Sequence, residues 1–374
     1  MNAYISIYSE RLSKYLFMFA AAFVIAYLLT PLIRRLALAA GMIDVPGGRK
    51  IHDRPTPRAG GVAIFIAFHA IYLAGTFCGW IDASSALNME WWMGFFVASS
   101  AILLLGLTDD WRSLPPLLKL AGQISAALVI FANGGRIESI QGFIFPVWLD
   151  LVITVLWIVI ITNAFNLIDG IDGLATGLAL IATIGLGLSF MIRREPSDVL
   201  VTLALTGACL AFLRYNFYPA NVFLGDSGSM FLGFTLACVP LVTGGKSTFV
   251  ATVAMPLLAF GIPLFDTLLA IWRRSLRQFF PGILFENSNS TIVSADREHL
   301  HHRILYLGLN QRRVATILYG MSAALVVVGL LALLFNTHAL GIFVIAFVVG
   351  AYIIARHLAR VELWDTGRVI LAGL

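Results

Sequence analysis

The chain has 374 residues, 59% of them apolar and only 12% charged, with a formal net charge of +5 and a mean hydropathy of +0.89. A soluble domain carries about twice that share of charged side chains, so a water-soluble enzyme, a nucleic-acid-binding module and a disordered tail are all excluded. The apolar residues gather into runs of roughly 17–25, the length that carries a helix across about 30 Å of hydrocarbon, and the chain reads as an all-α integral membrane protein.

Between polar breaks, the runs predict helices over 15–38, 61–79, 91–107, 116–132, 148–163, 174–192, 198–213, 229–244, 248–272, 315–335 and 338–356. That is about eleven transmembrane helices in a single polytopic domain covering 1–374, with two long loops at 40–60 and 273–314. The first run is too long for the apolar core of a cleaved signal peptide and is read as a true span. When the loops are assigned alternately to the two faces, every Lys and Arg except Arg11, Lys14, Arg136, Arg193, Arg194 and Lys246 falls on one side. Positive loops stay inside, so the N-terminus is expected outside, the C-terminus in the cytoplasm, and both long loops cytoplasmic. Cys78, Cys209 and Cys238 stand singly in apolar runs and read as packing residues.

The strings with chemical character all fall on the basic, cytoplasmic face. Thr108-Asp109-Asp110 closes the third helix, where negative charge opposes the helix dipole. A compensating cation is expected: Mg²⁺, Lys119 or the basic loops. Asn163, Asn166 and Asp169 recur every three residues at the end of the fifth helix, and Gly170, Asp172 and Gly173 follow. In a continuing helix the three stack along one slowly drifting face. Oxygen-only side chains in such a row suit Mg²⁺, which takes one or two carboxylates and fills its remaining positions with water and phosphate oxygens.

Asn221-Val-Phe223-Leu-Gly225-Asp226-Ser227-Gly228-Ser229 leads into the eighth helix. Ser227 or Ser229 is expected to cap that helix, whose free N–H groups would form an anion site. Asp226 offers a hard metal ligand, and Phe223 a ring on which a base can stack. Asp296-Arg297-Glu298-His299-Leu300-His301-His302-Arg303 lies in the last long loop. Zinc is disfavoured there by the adjacent arginines, whereas Arg and His donors suit a diphosphate. In the first long loop, Lys50 and His52 are set to meet substrate, against the plainer reading that its basic residues only hold topology and bind headgroups. Asp266 reads equally well as a site carboxylate or as the partner of an arginine. Transporters tend to bury ionisable groups near the bilayer midplane; a cluster at one mouth favours surface catalysis over transport.

Together these strings, in this order between about residues 44 and 313, resemble the polyprenyl-phosphate N-acetylhexosamine-1-phosphate transferases of glycosyltransferase family 4, especially the bacterial N-acetylglucosaminyl type. The resemblance implies an inner-membrane enzyme with a cytoplasmic cleft, dependent on Mg²⁺ with Mn²⁺ able to substitute. It would move a sugar-1-phosphate from a UDP-sugar, most naturally UDP-GlcNAc, to undecaprenyl phosphate, releasing UMP for cell-envelope polysaccharide synthesis. It further implies that Asn166 and Asp226 are metal ligands and that Asp109, Asp110, Asp169 and Asp172 are catalytic. Lys50, His52, Lys119, Asn163, Phe223, Arg297, His299, His301, His302 and Arg303 would then meet substrate. Family members often carry a lysine seven residues after the second Asp, a position held here by Leu117, with Lys119 two further on. The related phospho-MurNAc-pentapeptide transferases carry three consecutive histidines, and His-Leu-His-His points instead to a simple N-acetylhexosamine donor. Direct attack and a covalent aspartyl intermediate both fit the sequence. The expected partners are the two substrates and the bilayer, and a homodimer is compatible with the apolar surface.

Overall fold

The computed structural model describes residues 2–46, 54–140, 143–243 and 310–335. Among them are the helices α1 (Asn2–Ala39), α2 (Gly61–Phe77), α3 (Met89–Trp111), α4 (Pro116–Ala132), α5 (Val147–Ile168), α6 (Leu174–Arg193), α7 (Pro196–Asn216), α8 (Gly225–Thr243) and α9 (Gln311–Phe335). Each overlaps one of the predicted spans, although α1 begins well before the expected residue 15; the predicted helices over 248–272 and 338–356 lie outside the described residues. Seven of the nine are long and apolar enough to cross a membrane, while α2 and α4 are shorter apolar helices of 17 residues. The protein is an all-helical, multi-pass membrane protein.

Local chemistry sets the helix starts. Asn88 caps α3 by accepting the Trp91 N–H at 3.0 Å, and Asn310 does the same for α9 with Arg313 at 2.9 Å. Pro116 and Pro196 open α4 and α7, where a missing N–H costs nothing. Two short antiparallel pairs complete the described structure. Strands β1 (Ile43–Asp44) and β2 (Thr56–Pro57) pair Ile43 with Pro57 and Asp44 with Thr56, and β3 (Ser139–Ile140) pairs with β4 (Phe143–Ile144).

Helix α8 is the axis of the bundle. Its Met230, Phe231, Leu232 and Phe234 are fully buried, and it lies against α2, α3, α5 and α6. Glycines allow this: a Cβ on Gly61 of α2 would collide with the Gly228 backbone of α8, so the two helices meet backbone to backbone. At the rim, α1 packs on α7 and turns Leu12, Leu16, Leu28 and Leu36 outward, as suits a lipid-facing helix. His69 of α2 is buried among aromatic rings; the Trp92 indole N–H donates to its Nδ1 at 3.1 Å, which leaves Nε2 to carry the proton facing Ser99 at 3.2 Å. It is a satisfied core histidine.

The polar contacts segregate to the two ends of the bundle. At one end Ser85 donates to Asp198 at 2.7 Å and Arg193 pairs with Glu195 at 2.8 Å. At the other, the C-terminal ends of α1, α3, α5 and α7 meet the N-terminal ends of α2, α4, α6, α8 and α9. Boundaries there differ from expectation by a few residues. Helix α3 runs on to Trp111, which keeps its aspartate pair helical, α5 runs on to Ile168 and ends just before Asp169, α8 begins at Gly225 rather than near 229, and α9 begins at Gln311 rather than at 315.

Candidate active site

Adjacent residues on a helix diverge by about 100°, and Asp109 and Asp110 use this divergence to face different partners. Asp109 accepts the Leu114 N–H at 2.6 Å on one oxygen and the Lys119 ammonium at 3.0 Å on the other. Lys119 also reaches Asp226 at 3.1 Å, so one ammonium bridges carboxylates from α3 and α8. Asp110 turns inward, is only 8% exposed, and accepts the N–H groups of Asp226 at 2.9 Å and Ser227 at 3.1 Å. The charge expected to compensate the acidic end of α3 is thus supplied twice: by Lys119, and by the positive N-terminus of α8.

That arrangement overturns two local expectations. Neither serine caps α8. Ser229 donates its hydroxyl to the Gly225 carbonyl at 3.0 Å, and Ser227 Oγ is buried with no hydrogen-bond partner among the described residues. The α8 amides expected to meet a substrate anion are held instead by a carboxylate of the protein.

At the end of α5, Asn166 donates its amide to Ser229 Oγ at 3.0 Å, which ties it to the first turn of α8 and leaves Oδ1 as the atom able to meet a ligand. Asn163 and Gln123 of α4 exchange amide hydrogen bonds at 2.5 and 3.3 Å. Asp169 follows the last turn of α5, and burial, then the Asp226 and Asp110 carboxylates, push its own carboxyl well above the usual carboxylate range, with Arg58 pulling the other way. Asp172 accepts the Ala220 N–H at 2.9 Å, and its own N–H reaches Gln311 of α9 at 3.4 Å. This carboxylate fastens the turn between α5 and α6 to the loop before α8.

That loop carries Phe223, half-buried, whose N–H donates to Pro57 and whose carbonyl accepts the Gly60 N–H, at 2.9 and 3.0 Å. The 54–61 segment therefore lies directly beside the α8 approach. Its Arg58 pairs with Asp44 at 2.9 Å and stands close enough to bear on Asp110 and Asp226. Arg58 and Gln123 were not singled out as site residues from the sequence. Gln123 had a signal, being a lone amide in an apolar helix four residues after Lys119 and so on the same face. Lys50, His52, Arg297, His299, His301, His302, Arg303 and Asp266 lie outside the described residues.

Asp109, Asp110, Lys119, Asn163, Asn166, Asp169, Asp172, Phe223 and Asp226 are all brought to one end of the bundle. Among the described residues no three His, Cys, Asp or Glu side chains are placed to cage a metal. A carboxylate on Asp226 and an amide oxygen on Asn166 are donors of the hardness that Mg²⁺ takes. Four carboxylates, Asp109, Asp110, Asp169 and Asp226, stand against the described cations Lys119 and Arg58.

Similarity to known proteins bears on this geometry. Glycosyl transferase family 4 matches residues 92–244, which span α3 to α8. The chain is 33% identical over 321 residues to the probable undecaprenyl-phosphate N-acetylglucosaminyl 1-phosphate transferase of Bacillus subtilis, covering 83% of this chain and 82% of the relative. It is 33% identical over 333 residues to the decaprenyl-phosphate N-acetylglucosaminephosphotransferase of Mycobacterium tuberculosis, covering 80% and 77%. To the undecaprenyl-phosphate alpha-N-acetylglucosaminyl 1-phosphate transferase of Escherichia coli K12 it is 26% identical over 311 residues, covering 80% and 78%.

Proposed function

The chain belongs to the polyprenyl-phosphate N-acetylhexosamine-1-phosphate transferases of glycosyl transferase family 4, and we propose that it transfers GlcNAc-1-phosphate from UDP-GlcNAc to undecaprenyl phosphate, with Mg²⁺, releasing UMP. The observation that carries this reading is the meeting of Asp109 and Asp226, from α3 and α8, on one ammonium, Lys119, with Asn166 of α5 tied to the first turn of α8 and Asp169 near enough to feel the Asp226 carboxylate. The GlcNAc donor is supported by the names of the three relatives. Those names differ in the length of the lipid, and undecaprenyl is the one shared by two of them.

Asp226 and Asn166 would hold the ion, with Asp169 beside them. When bound, Mg²⁺ supplies charge neutralisation to the donor diphosphate and polarises its phosphorus–oxygen bonds. The remaining work is positioning. Asp109 orients the lipid phosphate, whose second ionisation near pKa 6 leaves it largely charged at neutral pH. Lys119, lying between Asp109 and Asp226, is placed to share the charge of the transferred phosphoryl group. Phe223 stacks on the uracil, and Arg297, His299, His301, His302 and Arg303 grip the sugar phosphate from their loop. The basic-loop asymmetry supports a cytoplasmic placement of this end of the bundle, where UDP-sugars are made, and the lengths of the apolar runs support about eleven spans in a bacterial inner membrane.

The test is UMP release from purified protein given undecaprenyl phosphate and a panel of UDP-sugars, with and without Mg²⁺. Release with UDP-GlcNAc alone, dependent on both lipid and Mg²⁺, is the expected result. Release with a different UDP-sugar reassigns the donor, and release without a divalent ion removes Mg²⁺ from the mechanism.

A further inference from the structure

The two adjacent aspartates of α3 do not share an environment, and the difference divides their work. An α-helix begins with N–H groups that have no partner within the helix. The usual remedy is a Ser, Thr, Asp or Asn at the residue before the first turn, whose side chain accepts from the second and third helical N–H groups. In α8 that preceding residue is Leu224, which has no acceptor. The second and third residues are Asp226 and Ser227, and the two N–H groups in question are those that Asp110 accepts, at 2.9 and 3.1 Å. We propose that Asp110 is a positioning residue, a helix cap delivered to α8 from α3, which aims Asp226 and does not itself touch either substrate.

The surrounding backbone is shaped for this contact. Gly225 opens α8 at φ +74°, and a Cβ there would lie 2.5 Å from Asp110 Oδ2. Gly106 precedes Asp110 by four residues, hence on the same face of α3, and a Cβ on it would lie 2.5 Å from the Ser227 backbone nitrogen. Side chains are thus missing on both sides where Asp110 must reach the amides. With both carboxylate oxygens engaged and 8% exposure, Asp110 has little surface to offer a lipid phosphate, whereas Asp109 faces Lys119 and the cluster. Asp226 stands within the capped turn, and Ser229, one turn end away, holds Asn166. Tilting that turn therefore moves Asp226 and its Asn166 neighbour relative to each other. The catalytic consequence rests on the reading of Asp226 as metal ligand given above; the cap itself does not.

Hydrogen–deuterium exchange on the full-length protein in nanodiscs, without substrate, tests the cap directly. The peptide covering 224–230 should exchange slowly at its first amides in the unsubstituted protein. Asp110→Asn should speed that exchange roughly tenfold, the change expected from losing a charge-assisted hydrogen bond, while Asp109→Asn leaves it unchanged. Fast exchange in the unsubstituted protein, or no change in Asp110→Asn, overturns the proposal. The first of these needs no variant, so it decides the matter even where Asp110→Asn fails to fold. In UMP-release assays, Asp110→Asn should lower kcat and raise the Mg²⁺ needed for half-maximal rate, with the KM for undecaprenyl phosphate unchanged. Combined with Asp226→Glu, it should cost little beyond Asp226→Glu alone. A raised lipid-phosphate KM, or fully multiplicative losses, would place Asp110 against substrate and overturn it. Should the unsubstituted enzyme work without any divalent ion, the metal reading fails on its own, and the exchange result still decides the cap.

Discussion

Individual side chains at the end of the bundle that holds Asp109 and Asp226 have separable contacts, and substitution separates them. Asp226 is bridged to Asp109 through Lys119 and begins the helix that faces Asn166. Asp226→Ala is expected to abolish UMP release at every Mg²⁺ concentration; near-normal turnover at high Mg²⁺ would take Asp226 out of the metal site. Asp109→Asn should keep nucleotide binding, read by titration with a UDP analogue, while losing transfer by a factor of 100 or more on the order of a positioning loss. Retained transfer would end its assigned role. Phe223 is half-buried and its backbone is pinned on both sides by Pro57 and Gly60. Base stacking is worth about 1–3 kcal/mol, so Phe223→Ala should raise the KM for the UDP-sugar by roughly 5- to 150-fold with kcat little changed. An unchanged KM counts against stacking. The candidate donors were legible at this scale, because hard oxygen donors and paired carboxylates are rare in an apolar chain. Their partners were not: nothing local joins Asp110 to the Asp226 amide or Lys119 to two carboxylates 107 and 10 residues away.

At the scale of elements, periodicity and breaks located the described helices, and the misplaced start of α8 has an identifiable cause. The start of α8 was expected near 229 because Gly225-Asp226-Ser227-Gly228 reads as a turn with its own serine cap. The cap comes instead from α3, so the helix can begin at Gly225. Likewise the α8 N-terminus looked like a free anion site until a protein carboxylate was found in it. Close helix approach is the other element-scale feature. Gly61 and Gly228 let α2 and α8 touch backbone to backbone, and the Cβ of Gly61→Ala would meet atoms that cannot swing aside. Overpacking of this kind costs about 1–3 kcal/mol, so Gly61→Ala should lower the melting temperature in detergent by several degrees. An unchanged melting temperature would mean that the two helices stand further apart. The turn between α5 and α6 is fastened from outside by Asp172 to Ala220 and by the Tyr319 hydroxyl to the Gly173 carbonyl at 2.6 Å. This brings α9, remote in sequence, against the same turn as Asp169.

For the whole molecule, the prediction concerns sidedness. The basic asymmetry requires the 40–60 and 273–314 loops and the C-terminus to share one face, with the N-terminus on the other. Reporter fusions after 244, within 273–314 and at the C-terminus should therefore report outside, inside and inside. A C-terminal fusion that reports outside would change the span count and remove the cytoplasmic placement of the site. Membrane class, nine of the predicted helices and the list of candidate donors could be read from the residues alone, because hydrophobic run length and loop charge are local properties that the bilayer imposes one segment at a time. What required the folded bundle was the allocation of each polar atom. Asp109 and Asp110 are neighbours in the chain, yet one faces an ammonium and the other a helix start, because a 100° turn sends them towards α4 and α8 respectively. Hydrogen bonds between helices depend on how backbones cross, and that crossing is set by glycines on both partners acting together.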